Sequence, residues 1–269
     1  MSYTQASKET LTLDLLRHIT LNTLYSLKVK LIKYGPEIVV AFDNRNYWRR
    51  DYFPLYKKHR QKEHDKSDFD WDLFFEFLNV LKDEFRDTLP FKILEVDRAE
   101  ADDVCAVLSQ EFGENTPICI SSSDKDFLQL QTDTNKVVQY SPWHKKFLTK
   151  KTTEYDLFEH IIRGDAGDSI PNFLSDEDTF LDDTKRQKQI SAKKLAIWKE
   201  YESVPEYFCE SIDILKRFET NKKIIDLSLI PDEIRESILT AYHNTQPNKG
   251  KFFSYCAKHK LTKIMERYL

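Results

Sequence analysis

The feature that most constrains this chain is residues 100–127, EADDVCAVLSQEFGENTPICISSSDKDF, in which two groups of carboxylates are separated by one helical pattern and one apolar strand. Glu100, Asp102 and Asp103 open the helix, Ile118, Cys119 and Ile120 form the strand, and Asp124 and Asp126 follow where it ends. Packed as a strand-helix-strand unit, all five acids converge at the carboxyl edge of a parallel sheet, where open α/β folds keep their sites. Carboxylates that close repel one another, and a hard divalent cation such as Mg²⁺ is the usual way to neutralise them. Helix N-caps and ordinary Asp-x-Asp loops produce similar clusters, so these residues alone leave both readings open.

Composition narrows the class. A chain of 269 residues with 40% hydrophobic and 13% aromatic residues can bury a core as one large or two smaller domains. The net charge of −4 is no global basic signature, so any nucleic-acid contact must come from local patches. Cys105, Cys119, Cys209 and Cys256 include no C-x-x-C pair, which argues against zinc and a disulfide framework and fits a reducing cytoplasm. The uncharged run at 19–27 is too short to span a bilayer, and no glycine-rich phosphate loop is present. With only five glycines, Gly35 and Gly113 stand out where helix C-caps would fall.

In chain order, leucines and isoleucines at helical spacing predict a helix over about 8–34, then a strand over 38–42 ending on Asp43. By position alone Asp43 reads as a turn residue. Residues 45–66 carry eight Lys or Arg, interleaved with Tyr47, Trp48, Tyr52, Phe53 and Tyr56, the mixture a single-strand binder needs. Pro54 and weak periodicity point to a partly mobile basic arm rather than a helix with core aromatics. A helix over 71–86, a strand over 91–96, a short helical turn after Asp126, a strand over 136–140 and a basic edge at Lys145, Lys146, Lys150 and Lys151 follow. The alternation predicts an α/β fold with a mostly parallel central sheet and right-handed crossovers. Helices are expected over 154–163, 191–201, 204–218, 231–243 and 251–268, giving a metal-site domain over 1–153 and a helical lobe over 154–269.

Several motifs in fixed order carry a resemblance: Asp43 followed by Tyr47-Trp48-Arg49-Arg50 and Tyr56-Lys57-Lys58, then Glu100-Ala101-Asp102-Asp103, Ser122-Ser123-Asp124-Lys125-Asp126-Phe127, Ser141-Pro142-Trp143-His144-Lys145-Lys146 and Gly164-Asp165-x-x-Asp168. The chain resembles the 5′-nuclease superfamily of flap endonucleases and polymerase-associated 5′→3′ exonucleases, with its PIN-like fold, and within it the T-even-type phage ribonuclease H branch. The resemblance implies two Mg²⁺ ions, with Mn²⁺ as a substitute. Asp43, Glu100, Asp102 and Asp124 would surround one ion, and Asp126, Asp165 and Asp168 the other, while Asp103 would support the ligands or cap the helix. It further implies removal of RNA primers and 5′ flaps during phage-type replication. Arg49, Arg50, Lys57, Lys58 and Arg60 would lie on the 5′ single strand, and Lys193 and Lys194, in a helix-three-turn-helix-like element, on the duplex.

The implied partners are flap- or primer-bearing duplex DNA and RNA-DNA hybrid, with a single-stranded-DNA-binding protein or sliding clamp beyond these. A monomer in the cytoplasm of an infected bacterium is expected. Two departures stand out. Residues 174–190 replace the family's glycine turn with an acidic half and a basic half, leaving the monovalent-cation site of that turn in doubt; they would meet the duplex or form a surface loop. The family's first strand, central in the sheet and ending in a metal-ligand aspartate, has no counterpart before the first helix. A late start, a fragment or a reduced member is expected, and with it the alternative of an impaired, structure-specific DNA-binding protein with low stability.

Overall fold

The computed structural model describes residues 11–248 and 250–268. Helix α1 (Leu13–Leu31) starts where the Thr12 hydroxyl accepts a hydrogen bond from the Leu15 amide, and it runs through the turn Ile32–Tyr34 to Gly35. Residues 8–10 of the expected helix lie outside the described residues. Strand β1 (Val39–Phe42) pairs in parallel with β2 (Lys92–Glu95), Val39 opposite Lys92. Between them lie α2 (Arg49–Tyr52), α3 (His59–Asp65) and α4 (Trp71–Thr88). Helix α5 (Ala101–Phe112) leads to β3 (Ile118–Ser121), which pairs in parallel with β4 (Val137–Ser141).

The basic edge after β4 is a hairpin. Strand β5 (Lys146–Leu148) turns back antiparallel on β4, and Lys145 takes a left-handed φ of 53° at the turn. The central sheet expected from the sequence is divided among the described residues into a two-stranded sheet, β1-β2, and a three-stranded sheet, β3-β4-β5. Helix α5 packs against both β1 and β3, but no ladder joins those strands. Each pairs on one side only, and all four residues of β1 are half-buried although Val39, Val40, Ala41 and Phe42 are apolar. No aspartate-ended strand precedes α1 among the described residues, and residues 1–10 lie outside them.

The second half comprises α6 (Lys150–Thr153), α7 (Leu157–Arg163), α8 (Ala192–Lys199), α9 (Ile212–Ile225), α10 (Asp232–Asn244), α11 (Phe252–Lys258) and α12 (Thr262–Tyr268). Three boundaries differ from expectation, each for a local backbone reason. Glu154 caps α6 in the left-handed region, so α7 starts only after the Asp156 side chain accepts from the Glu159 amide. The helix expected over 204–218 starts at 212, where Ser211 caps it, and runs on to 225. The helix expected over 251–268 is broken by Lys260, whose φ is 55°.

Three apolar clusters hold these pieces together. Leu94, Val104, Val107 and Ile120 of the sheet layer close over Ile234 and Ile238 of α10. Leu16, Leu21 and Tyr25 of α1 meet Leu81 and Phe85 of α4 and then Phe252, Leu261 and Ile264 near the C-terminus. In the third cluster Phe53 and Tyr56 of the basic arm pack on Ile162, Phe173, Phe208 and Phe218. The arm is therefore folded against the rest of the chain: Trp48, Phe53 and Tyr56 are core side chains, while Tyr52 stays exposed, and burying three rings outweighs the helix-breaking effect of Pro54.

Candidate active site

The arm presents cations inward as well as outward. Trp48 and Arg49 are buried, and the Arg49 guanidinium lies 2.8 Å from both Glu100 and Asp103 while its Nε–H donates to the Ile224 carbonyl. Arg49, expected on the 5′ strand, is thus committed to Glu100 and Asp103 in this structure rather than exposed on the arm. Glu100 and Asp103 are themselves buried, and burying them unpaired would cost several kcal/mol, which is why a guanidinium is drawn in beside them. Asp103 also accepts from the Trp48 indole N–H (3.0 Å) and the Glu100 amide (2.9 Å), so it caps α5 and ties the arm to it.

Lys57 is turned inward too. Its backbone adopts φ 58°, its amide donates to the Asp168 carbonyl (2.8 Å), and its ammonium pairs with Glu100, 3.8 Å from Asp168. The Tyr56 hydroxyl lies 2.9 Å from Asp168 and 3.0 Å from Glu100, and Arg60 pairs with Asp168 at 2.5 Å. Arg50, Lys58 and Arg60 are exposed, and of these Arg50 and Lys58 make no ion pair among the described residues.

The other acids arrive on strand ends and turns. Asp43, exposed just past β1, accepts from the Ala101 amide at the start of α5 (2.8 Å). Asp124, just past β3, accepts from the Asp126 amide (2.9 Å) and so opens the turn Lys125–Leu130. Asp165 is placed by Gly164, whose φ is 69° and where a Cβ would stand 2.3 Å from the Ile170 carbonyl oxygen. Only glycine lets the chain approach that closely. One residue missing from the sequence reading joins them: His160 of α7, with Nδ1 3.4 Å from Asp126 and Nε2 3.7 Å from Asp165. Asp126, His160 and Asp165 each offer one ligand atom within 4.8 Å of the others. The only signal for His160 in the sequence is its place one turn ahead of Gly164-Asp165.

Proton affinities record the crowding. Burial, reinforced by Asp124, Glu100 and Asp43 and opposed by Lys57, pushes Asp102 up to about 7. Burial with the charges of Asp124, Asp165 and Asp168, opposed by His160, raises Asp126 to about 7. Asp168 is raised by burial against the pull of Lys57 and Arg60. Glu100 moves the other way: burial works against its charge, but Arg49, Lys57 and Tyr56 hold it below the usual range. Asp165 is likewise lowered, by His160 and the Gly167 and Asp168 amides, despite burial. Burial alone would lower His160, yet Asp165 and Asp126 raise it.

Away from the acids, Lys193 and Lys194 are exposed on the first turn of α8. Arg163, Lys188, Lys194 and Ser191 line a groove of about 620 Å³. The acidic-then-basic insertion folds on itself: Lys185 pairs with Asp178 and Asp176, Arg217 pairs with Asp176, and Asn172 and Ser175 bond the irregular segment at Gln187 and Lys188.

The α/β layer with its helical second half is a fold shared with known nucleases. The chain belongs to the 5′-3′ exonuclease family: the family's N-terminal resolvase-like domain matches residues 14–160. The C-terminal domain described as T4 RNase H, C terminal, matches residues 151–268. The chain is 34% identical over 268 residues to the ribonuclease H of Enterobacteria phage T4, covering 96% of this chain and 87% of that protein. It is 33% identical over 114 residues to a 5′-3′ exonuclease of Mycoplasmopsis pulmonis, covering 41% and 36%. In fold it is similar to the bacteriophage T5 flap endonuclease solved with DNA and metal ions, with a TM-score of 0.61 at 18% identity over 83% of this chain and 91% of that one. The zinc-bound T5 5′-exonuclease gives a TM-score of 0.61 at 19% identity, over 84% and 90%.

Proposed function

We propose that this protein is a divalent-cation-dependent 5′-nuclease that removes RNA primers and 5′ flaps from duplex DNA during phage-type replication. The observation that carries the reading is the excess of acid at one edge, where burial and neighbouring carboxylates (Asp124, Glu100 and Asp43 around Asp102; Asp124, Asp165 and Asp168 around Asp126) hold Asp102 and Asp126 at about 7, and Asp102 makes no ion pair among the described residues. The donor set fits hard cations. Asp126 Oδ1 and His160 Nε2 are both buried without a hydrogen-bond partner among the described residues, atoms left for something to bind.

Asp43, Glu100, Asp102 and Asp124 would hold one cation, and Asp126, Asp165 and Asp168 a second. A bound pair would supply a strong nucleophile at neutral pH and offset charge on the phosphodiester. The chain's own part is positional. Lys57 and Arg60 compensate Glu100 and Asp168, and would turn to the scissile phosphate once bound cations relieved those acids. Arg50 and Lys58 would follow the 5′ strand. Lys193 and Lys194, beside the basic groove, would meet duplex phosphates, with the chain dividing near residue 153 into catalytic and duplex-gripping parts. No helix among the described residues is long and apolar enough to cross a membrane.

The test is cleavage of labelled 5′-flap DNA and RNA-DNA hybrid with Mg²⁺ and with chelator. Metal-dependent release of 5′ products is expected. Tight flap binding without cleavage at any Mg²⁺ or Mn²⁺ concentration would instead identify a non-catalytic DNA-binding protein.

A further inference from the structure

We propose that His160 is a nitrogen ligand of the cation held by Asp126 and Asp165, and that it turns that site toward Mn²⁺-type ions over Mg²⁺. The proposal rests on the metal reading above and assigns one more donor to it. The ring is not placed by chance. Helix α7 is anchored by Phe158, Ile161 and Ile162, all buried, so residue 160 is held toward the Asp126 and Asp165 carboxylates on either side of the imidazole. Neither nitrogen approaches closely enough for a good hydrogen bond: 3.4 Å and 3.7 Å are ion-pair separations, and Nε2 is buried with no hydrogen-bond partner among the described residues.

A buried imidazole nitrogen without a partner costs free energy unless something takes its lone pair or its proton. A cation seated between Nε2, Asp165 and Asp126 takes the lone pair, and Nδ1–H is then left to Asp126. The donor type has a consequence for selectivity. Mg²⁺ takes oxygen ligands and keeps its waters, whereas imidazole raises affinity for Mn²⁺ and the later divalent ions. Loss of one such ligand or its support lowers metal affinity by roughly 10- to 100-fold.

The direct readout is pulsed electron paramagnetic resonance of Mn²⁺ bound to the full chain, with no substrate present. A ¹⁴N modulation from a coordinated imidazole is expected in the unaltered protein. It should disappear in His160→Gln, together with a Mn²⁺ affinity loss of about tenfold or more and a smaller loss for Mg²⁺. Bound Mn²⁺ without nitrogen coupling in the unaltered protein overturns the proposal and leaves the carboxylate site standing, whatever the variant does. Nitrogen coupling that survives in His160→Gln overturns it as well, by assigning another histidine. Failure of the protein to bind Mn²⁺ at all removes the metal reading itself, and this inference with it.

Discussion

Two buried clusters of charge, one in the helical layer and one at the sheet edge, are built on opposite principles. Under α1 and α4, the Arg17 guanidinium forks onto both oxygens of Glu84 at 2.9 Å, and the Tyr255 hydroxyl donates to the same carboxylate at 2.7 Å. Arg17, Glu84 and Tyr255 find their partners in one another, and Glu84 is held below the usual carboxylate range: burial works against its charge, but Arg17 and Tyr255 more than compensate. At the sheet edge only part of the acid is answered. Glu100 and Asp103 have Arg49 and Lys57, whereas Asp102 and Asp126 are pushed up to about 7. The first cluster is complete as folded. The second is complete only with a ligand, and that incompleteness marks a site more sharply than burial or charge alone.

The largest effect should come from Arg49, which sits where the second cluster behaves like the first. Arg49→Leu leaves Glu100 and Asp103 buried without their guanidinium, so a loss of about 3 to 5 kcal/mol in urea unfolding is expected. A loss below about 1 kcal/mol would mean that Arg49 is not the internal counter-ion described here.

Asp102→Asn tests the unanswered part and should move stability and activity in opposite directions. Removing a crowded, buried charge relieves repulsion, so the variant in chelator should melt no lower than the parent at pH 8, while cleavage falls by about a hundredfold or more. A variant that is unfolded, or fully active, would break the contrast between the two clusters.

The contrast also fixes the sign of pH dependence. Asp102 holds its proton more tightly in the folded chain, about 7 against an ordinary 3.8. Between those values the folded state binds the extra proton, so this group's contribution to stability falls as pH rises across roughly pH 4 to 7. Glu84 is depressed, so its contribution is present above its ordinary 4.5 and is lost as pH falls through its folded value. Melting of the metal-free chain against pH should therefore slope down on both sides. Asp102→Asn should flatten the upper limb and Glu84→Gln the lower one; flattening of the same limb by both would refute the assignment.

Much of the acid edge was legible because its signals are local. Strands ending in Asp43 and Asp124, a helix opening at Glu100 and a Gly-Asp-x-x-Asp turn can each be read from a few residues. What stayed hidden depends on contacts far apart in sequence. Nothing near Arg49 says that it will lie against Ile224, and Phe53 and Tyr56 read as stacking platforms because their core partners lie more than a hundred residues away, while those of Trp48 lie about fifty residues on. His160 escaped for the same reason, since its meaning comes from Asp126 on another element. The split of the sheet could not be read at all, because strand pairing is decided by which neighbours are present.

The smallest effect separates two adjacent lysines that sequence treats as equivalent. Lys57 points inward to Glu100 through a left-handed backbone, whereas Lys58 is exposed and makes no ion pair among the described residues. Lys58→Ala should leave cleavage at saturating substrate nearly unchanged and reduce the salt slope of 5′-flap binding by about 0.7, the value for one phosphate contact on a single strand. Lys57→Ala should do the reverse, changing the slope little and depressing turnover, because its charge is committed to the acid cluster before substrate arrives. Binding isotherms of both variants from 50 to 200 mM salt, at about neutral pH without divalent cation, would read the slopes. Equal slope changes would put Lys57 on the strand from the start and make its pairing with Glu100 a feature of the free protein only. No slope change in either would move the 5′ strand away from the arm altogether, leaving Arg50 and the basic groove beside α8 to carry the phosphate contacts.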